Sequence, residues 1–437
     1  MATTYDLPKE EMKSTSKTIL QAIQDSISYP DCPTNKGDII MPKDSHLLST
    51  IPVGPLGIIA MDSCKELGDR VDYYLTKWRN ERQFSEKNTI AFNGYAKDSY
   101  LVGAHCPRFA SGEAKGELLE SVRGKDLYLM VDVTNYNIKY SMYGIECPMS
   151  PDDHYADLKR IIAAASGKAR QITVIMPFLY ESRQHKRSGR ESLDCALGLQ
   201  ELSSFGVNNI ITFDAHDPRV QMAIPNSGFE NIRPTYQFLK ALLRNTPDLE
   251  LSKEHLMVIS PDEGAMNRAI YFANVLGVDV GMFYKRRDYS RVVNGRNPIV
   301  AHEFLGDSVE GKDVIIIDDM ISSGESMIDV AKQLKARKAK RVFCVCTFGL
   351  FTNGLDTFDK AKEDGTIEKV ITTNLTYRNE ELLSRDWYIT ADMSKYIALL
   401  IDHLNHGVSI SDILDPNDRI TDRINEYRQS HTIRENY

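Results

Sequence analysis

A chain of 437 residues is longer than one hydrophobic core ordinarily organises, so two domains with appended segments are expected. Apolar residues at 42% and charged residues at 26% exclude wholesale disorder, and a net charge of −8 argues against a nucleic-acid partner. No apolar run approaches the roughly 20 residues of a membrane helix, so no membrane partner is expected either. The seven cysteines include no CxxC pair, and no signal peptide is visible, which makes a reducing, cytoplasmic setting the default.

Residues 1–55 read as an N-terminal extension: an amphipathic stretch near Ile19–Ile27 is followed by a turn-rich segment, Tyr29–Asp38. From there short β-branched runs alternate with stretches of helical period. Strands are predicted at 126–131, 171–176, 209–213, 255–259, 278–284, 314–317, 341–345 and 370–373, and helices at stretches such as 157–165 and 327–335. Several runs are apolar on both faces, as in a parallel sheet covered by helices; Cys344 and Cys346 alternate within one of them and read as strand residues. The alternation predicts an α/β fold with two mostly parallel sheets of similar plan, one in 56–230 and one in 231–393. Residues 394–437 are expected to form a helix and tail that pack back on the first domain.

Ligand groups in such sheets collect where strands end. The segment from Val314 to Ser326 carries the strongest signal: a β-branched strand ends in Asp318 and Asp319, and a turn of Ser322, Ser323, Gly324 and Ser326 opens a helix. Backbone N–H groups and hydroxyls at a helix start favour an anion, whereas paired carboxylates accept hydrogen bonds from sugar hydroxyls. A ligand with both groups, such as ribose 5-phosphate, satisfies both halves. The segment resembles the phosphoribosyl diphosphate (PRPP) loop of type I phosphoribosyltransferases.

Further segments, in order along 56–415, resemble the ribose-phosphate diphosphokinase family: Arg108–Glu113 with 120–126, Pro177–Arg187, Ile211–His216, Ser260–Gly264 with Arg268, Lys285–Arg287, and Gly407–Asp412. The resemblance implies two phosphoribosyltransferase-like domains and transfer of the diphosphoryl group of Mg-ATP to the C1 hydroxyl of ribose 5-phosphate. No P-loop is present, but Phe109 and Arg183 offer planes that stack on adenine and Glu113 an acceptor for its amino group; with Ser111 and Gln184 they make the implied ATP site. The resemblance further implies that His216 and Asp262 hold Mg²⁺, that Lys285, Arg287 and His216 are catalytic, and that a homo-oligomer shares the ATP site between subunits. The basic run Arg183–Arg190, with Arg123, Ser409 and Ser411, is similar to the family's effector site for phosphate or ADP. Ser111, His185, Ser322 and Glu325 depart from the family's pattern. A catalytically silent regulatory homologue and a PRPP-using nucleobase phosphoribosyltransferase are the rival readings.

Overall fold

The computed structural model describes residues 50–86, 94–287 and 299–435. The predicted amphipathic stretch near Ile19–Ile27 therefore lies outside the described residues. Strand β1 (Leu56–Ala60) leads into α1 (Lys65–Glu86), and the two-residue strands β2 (Ala104–His105) and β3 (Glu117–Leu118) pair with each other before β4 (Asp126–Met130). A hairpin of β5 (Lys139–Met142) and β6 (Ile145–Pro148) follows, then α2 (Pro151–Ala165), β7 (Gln171–Ile175), α3 (Asp194–Ser204), β8 (Asn209–Phe213) and β9 (Gly228–Ile232). Helix α2 begins at Pro151 rather than at 157 because Ser150 and Asp153 close a capping box around a proline suited to the first turn.

The second series runs α4 (Thr235–Asn245), β10 (Leu256–Ser260), α5 (Met266–Leu276), β11 (Asp279–Arg287), β12 (Ile299–Leu305), β13 (Asp313–Ile321), α6 (Glu325–Ala336), β14 (Val342–Gly349), α7 (Asp356–Glu363), β15 (Lys369–Thr373), α8 (Glu380–Leu383) and β16 (Tyr388–Ala391). The chain closes with α9 (Ser394–Asn405), α10 (Ser411–Leu414) and α11 (Asn417–Glu435). All eight predicted strands are present; β1, β2, β3, β5, β6, β9, β12 and β16 were not foreseen.

Two sheets result. The first is parallel throughout, in the order β1-β4-β7-β8-β9, and extends to Ile232, just past the expected division at 230. The second has the order β12-β11-β10-β13-β14-β15-β16, with only β12 antiparallel. Its run β10-β13-β14-β15-β16 repeats the strand order of the first sheet, so one plan is used twice.

The carboxyl ends of the two sheets meet. Asp132, after β4, accepts the backbone N–H of Tyr377, after β15, at 2.7 Å. Phe178, after β7, meets Phe348 of β14 edge-on with ring centroids 5.0 Å apart. His216, after β8, reaches Asp319 of β13. These links run through matching strand ends, so loops of both sheets converge on one cleft.

The closing helices divide between the two cores. Ile397, Ala398, Leu400 and Ile401 of α9 join the first core, where Asp402 pairs with Arg79 (3.0 Å) and Arg82 of α1. Asn405 accepts from Arg79 and donates to Asp126, each at 2.7 Å. Ile420 and Ile424 of α11 instead pack with α4 and α5 in the second half.

Candidate active site

The buried run Val314–Ile317 ends in Asp318 and Asp319 inside β13, so its β-branched residues anchor both carboxylates. Asp319 is 3% exposed, and its Oδ2 lies 2.7 Å from Nδ1 of His216. The Asp319 backbone N–H donates to Asp318 Oδ1 at 2.8 Å. The hydrogen bond to Asp319 raises the His216 pKa against the opposing effect of burial. Burial would raise Asp319, but the His216 bond and the Arg268 charge hold it below the usual carboxylate range. Burial pushes Asp318 well up, and the neighbouring Asp319 carboxylate adds to the rise.

Arg268 of α5 supplies the compensating charge. Its Nη1 is 3.8 Å from Asp318, and its Nε donates to Asp214 at 2.9 and 2.8 Å across the two carboxylate oxygens. Burial acts to lower the Arg268 pKa, but the Asp214, Asp319 and Asp318 carboxylates raise it on balance. Asp214 also accepts from the Thr347 hydroxyl at 2.7 Å. Its backbone has φ 43°, a left-handed turn that lifts the carboxylate out of the first sheet and into the second. Asp214 was visible in the sequence as the residue closing the β8 run. Its partnership with Thr347, embedded in the apolar run of β14, was not.

Beyond Asp319 the chain turns through Ser322, Ser323 and Gly324 into α6, whose Met327, Ile328, Val330, Ala331 and Leu334 are buried. Gly324 has φ 87°, and a Cβ there would lie 2.3 Å from the Phe358 ring, so only glycine fits. Ser322, Ser323 and Ser326 line a cavity of about 320 Å³ together with His216, Asp262, Arg268, Asp318 and Asp319. Glu325 is exposed and is absent from that lining. The cavity offers hydroxyls and a helix start at one end and carboxylates, an imidazole and a guanidinium at the other. Such a site suits a ligand with both hydroxyl and phosphate groups.

Asp262 Oδ1 accepts the N–H groups of Gly264 (2.9 Å) and Ala265 (3.3 Å), which fixes the carboxylate at the rim. Among the described residues no cluster of three or more His, Cys, Asp or Glu is arranged to hold a metal ion. His185 lies beside the pair, its ring 5.3 Å from that of His216 and its Nε2 3.5 Å from Asp217. Lys285 and Arg287 lie on β11, opposite His302 and Ile299 of β12, with a register shift between Arg286 and Arg287. Residues 288–298, which follow them, lie outside the described residues.

The predicted nucleotide residues are not in the cavity lining. Arg183 approaches it, with Nε 3.1 Å from Met320 Sδ, while Gln184 donates to Lys186 and Ser192 carbonyls of its own loop. Phe109, 55% exposed, lies on a turn between β2 and β3, where the Ser111 hydroxyl donates to Glu113 at 2.8 Å. Arg123 lines a separate cavity with Glu120, Ser121 and Lys168, and Ser409 bonds Ser411 elsewhere.

The N-terminal domain of ribose phosphate pyrophosphokinase matches residues 56–206, and the phosphoribosyl transferase domain matches 226–378. The ribose-phosphate pyrophosphokinase of Mycoplasma genitalium is 31% identical over 273 residues, covering 62% of this chain and 74% of that protein. Its counterpart in Corynebacterium glutamicum is 30% identical over 312 residues, covering 68% and 87%. In fold, the chain is similar to the crystal structure of phosphoribosylpyrophosphate synthetase from Mycobacterium smegmatis, with a TM-score of 0.62 and 22% identity, covering 80% of this chain and 98% of that one.

Proposed function

Because this chain belongs to the ribose-phosphate pyrophosphokinase family, making PRPP from ATP and ribose 5-phosphate, we propose that its cleft joins the two substrates with the sugar phosphate on the β13–α6 side. The reading rests above all on one observation: His216 from the first sheet and Asp319 from the second meet at 2.7 Å beside the hydroxyl-rich turn. Ser322, Ser323, Ser326 and the start of α6 hold the 5-phosphate, and Asp318 and Asp319 receive the ribose hydroxyls. Arg268 keeps this acidic pair from repelling the phosphate. The C1 hydroxyl attacks the β-phosphorus of ATP, the new O–P bond forms as the bond to the α-phosphate bridge breaks, and AMP leaves.

His216 and Asp262 form a sparse donor set. This fits Mg²⁺ arriving with ATP, since that ion keeps most of its shell as water and phosphate oxygens. When bound there it would neutralise triphosphate charge. With Nδ1 engaged by Asp319, Nε2 is the imidazole nitrogen left for such a role. Lys285 and Arg287 stabilise the charge that develops around the transferred group. The exposed turn at Phe109, Ser111 and Glu113 completes a nucleotide site in a neighbouring subunit, with Arg183 on the opposite side of the base.

An assay that follows AMP and PRPP together tests the reading. Lys285→Ala should lower kcat by about 10²–10³-fold, the loss of one preorganised donor. PRPP-dependent consumption of a nucleobase, with no AMP formed from ATP and ribose 5-phosphate, would overturn it.

A further inference from the structure

The turn carrying Phe109, Ser111 and Glu113 is exposed, and an exposed turn of polar residues and glycine is ordinarily loose. This one is held at every residue. Arg108 and Ala114 form an antiparallel bridge, the Phe109 N–H donates to the Glu113 carbonyl at 2.7 Å, and the Gly112 N–H donates to the Phe109 carbonyl at 2.9 Å. Outside the turn, its supports come mainly from the β5–β6 hairpin. The Tyr140 ring of β5 lies under the Arg108 guanidinium at 4.7 Å, whose Nη2 donates to Asp157 of α2 at 2.8 Å. The Tyr143 N–H donates to the Ala110 carbonyl at 2.8 Å. Gly112 has φ 94°, and a Cβ there would lie 2.7 Å from Met142 Sδ, so hairpin and turn are in close contact.

The hairpin is built to make these contacts. Met142 pairs with Ile145, leaving Tyr143 and Gly144 as a two-residue loop, and both have positive φ, 50° and 78°. Such a loop matches strand twist, but a tyrosine is a strained choice for its first position. The strain places the Tyr143 N–H against the turn. Tyr140 is fixed from behind, its hydroxyl 3.4 Å from Asp153, the residue that closes the α2 capping box.

We infer that the β5–β6 hairpin is the mount of the nucleotide turn: Tyr140, Met142 and the Tyr143 backbone are positioning groups that hold Phe109, Ser111 and Glu113 in the shape that recognises ATP, without touching the nucleotide. The inference rests on the reading above that this turn recognises the nucleotide. A mount of this kind acts on one substrate only, because the ribose 5-phosphate groups belong to β13 and α6.

Steady-state kinetics on the full chain, with ATP and ribose 5-phosphate varied separately, test it in three variants. Tyr140→Ala should raise the KM for ATP about two- to five-fold, the worth of one partly exposed cation–π contact, with the KM for ribose 5-phosphate and kcat held. Tyr140→Phe keeps the ring and loses only the long contact to Asp153, so its KM for ATP should lie well below that of Tyr140→Ala and close to wild type. An unchanged KM for ATP in Tyr140→Ala, an equal rise for both substrates, or no rescue by phenylalanine overturns the inference. Phe109→Ala separates the two readings: if it leaves the KM for ATP unaltered, the nucleotide turn itself is misassigned; if it raises that KM while Tyr140→Ala does not, only the mount fails.

Discussion

Replacing Asp214 with asparagine removes one charge at almost constant volume from the contact that joins the two sheets. The carboxylate is 8% exposed and accepts from Arg268 Nε on both oxygens and from Thr347 Oγ1. Removing one partner of a buried ion pair ordinarily costs about 3–5 kcal/mol. Arg268 keeps Asp318 at 3.8 Å and the charge of Asp319, so its own charge stays compensated and the loss falls to about 2–3 kcal/mol, close to the worth of hydrogen bonds to a charged group. In a chain of this size that lowers the thermal midpoint by about 2–3 °C. The kinetic effect is larger in proportion, because the neutral amide keeps a single acceptor oxygen for the Arg268 Nε that both carboxylate oxygens held, which lets the guanidinium move off the acidic pair. A displacement near 1 Å at such a group lowers kcat/KM by about 10²-fold. Calorimetry and the AMP/PRPP assay on the same preparation read both numbers. A variant destabilised as expected but within two-fold of wild-type kcat/KM would reduce Asp214 to a strut. A variant that changes neither would show that this hydrogen-bond accounting is wrong.

The His216–Asp319 pair predicts a pH window for stability. Its folded state lowers the carboxyl pKa and raises the imidazole pKa, so its contribution is full between the unfolded values of ~3.9 and ~6.5. It is lost as pH falls through the Asp319 folded value and as pH rises through that of His216. With the His216 side chain 39% exposed, the pair is worth under about 1 kcal/mol; the gap in thermal midpoint between wild type and His216→Gln should be widest near pH 5 and narrow by pH 9, and a pH-independent gap refutes the pairing. Gly324→Ala combines a left-handed backbone with a Cβ 2.3 Å from the Phe358 ring, which together cost about 2–5 kcal/mol. The KM for ribose 5-phosphate should rise at least about ten-fold if the turn holds the 5-phosphate, and a KM within two-fold of wild type would place that phosphate elsewhere.

The strand ends were the most legible part of the molecule, because β-branched runs and the polar residues that close them are adjacent in sequence. Asp318, Asp319, His216, Asp262 and the serine turn were found this way, and the structure brings them into one cavity. The same pattern also describes Asp132, which ends the β4 run, yet its carboxylate is occupied by Thr134 and the Tyr377 N–H. Local sequence does not show that a residue 245 positions away will fill one acidic strand end and leave another open. The bond between Asp214 and Thr347 was hidden for a related reason, since a threonine in a buried strand looks like an ordinary β-former. The β5–β6 hairpin escaped because its strands, Lys-Tyr-Ser-Met and Ile-Glu-Cys-Pro, are only four residues each and are joined by Tyr143-Gly144 rather than by a usual hairpin dipeptide.

The placement of α9 constrains how the protein is made. The first sheet is complete at Ile232, but the helix that shares its core and neutralises the buried Arg79 begins only at Ser394. At ~5–20 residues per second, a ribosome needs roughly 10–35 s to add the intervening stretch. Throughout that interval the nascent first half lacks the helix that covers part of its core and pairs Arg79, so its packing is completed only when the C-terminal segment emerges.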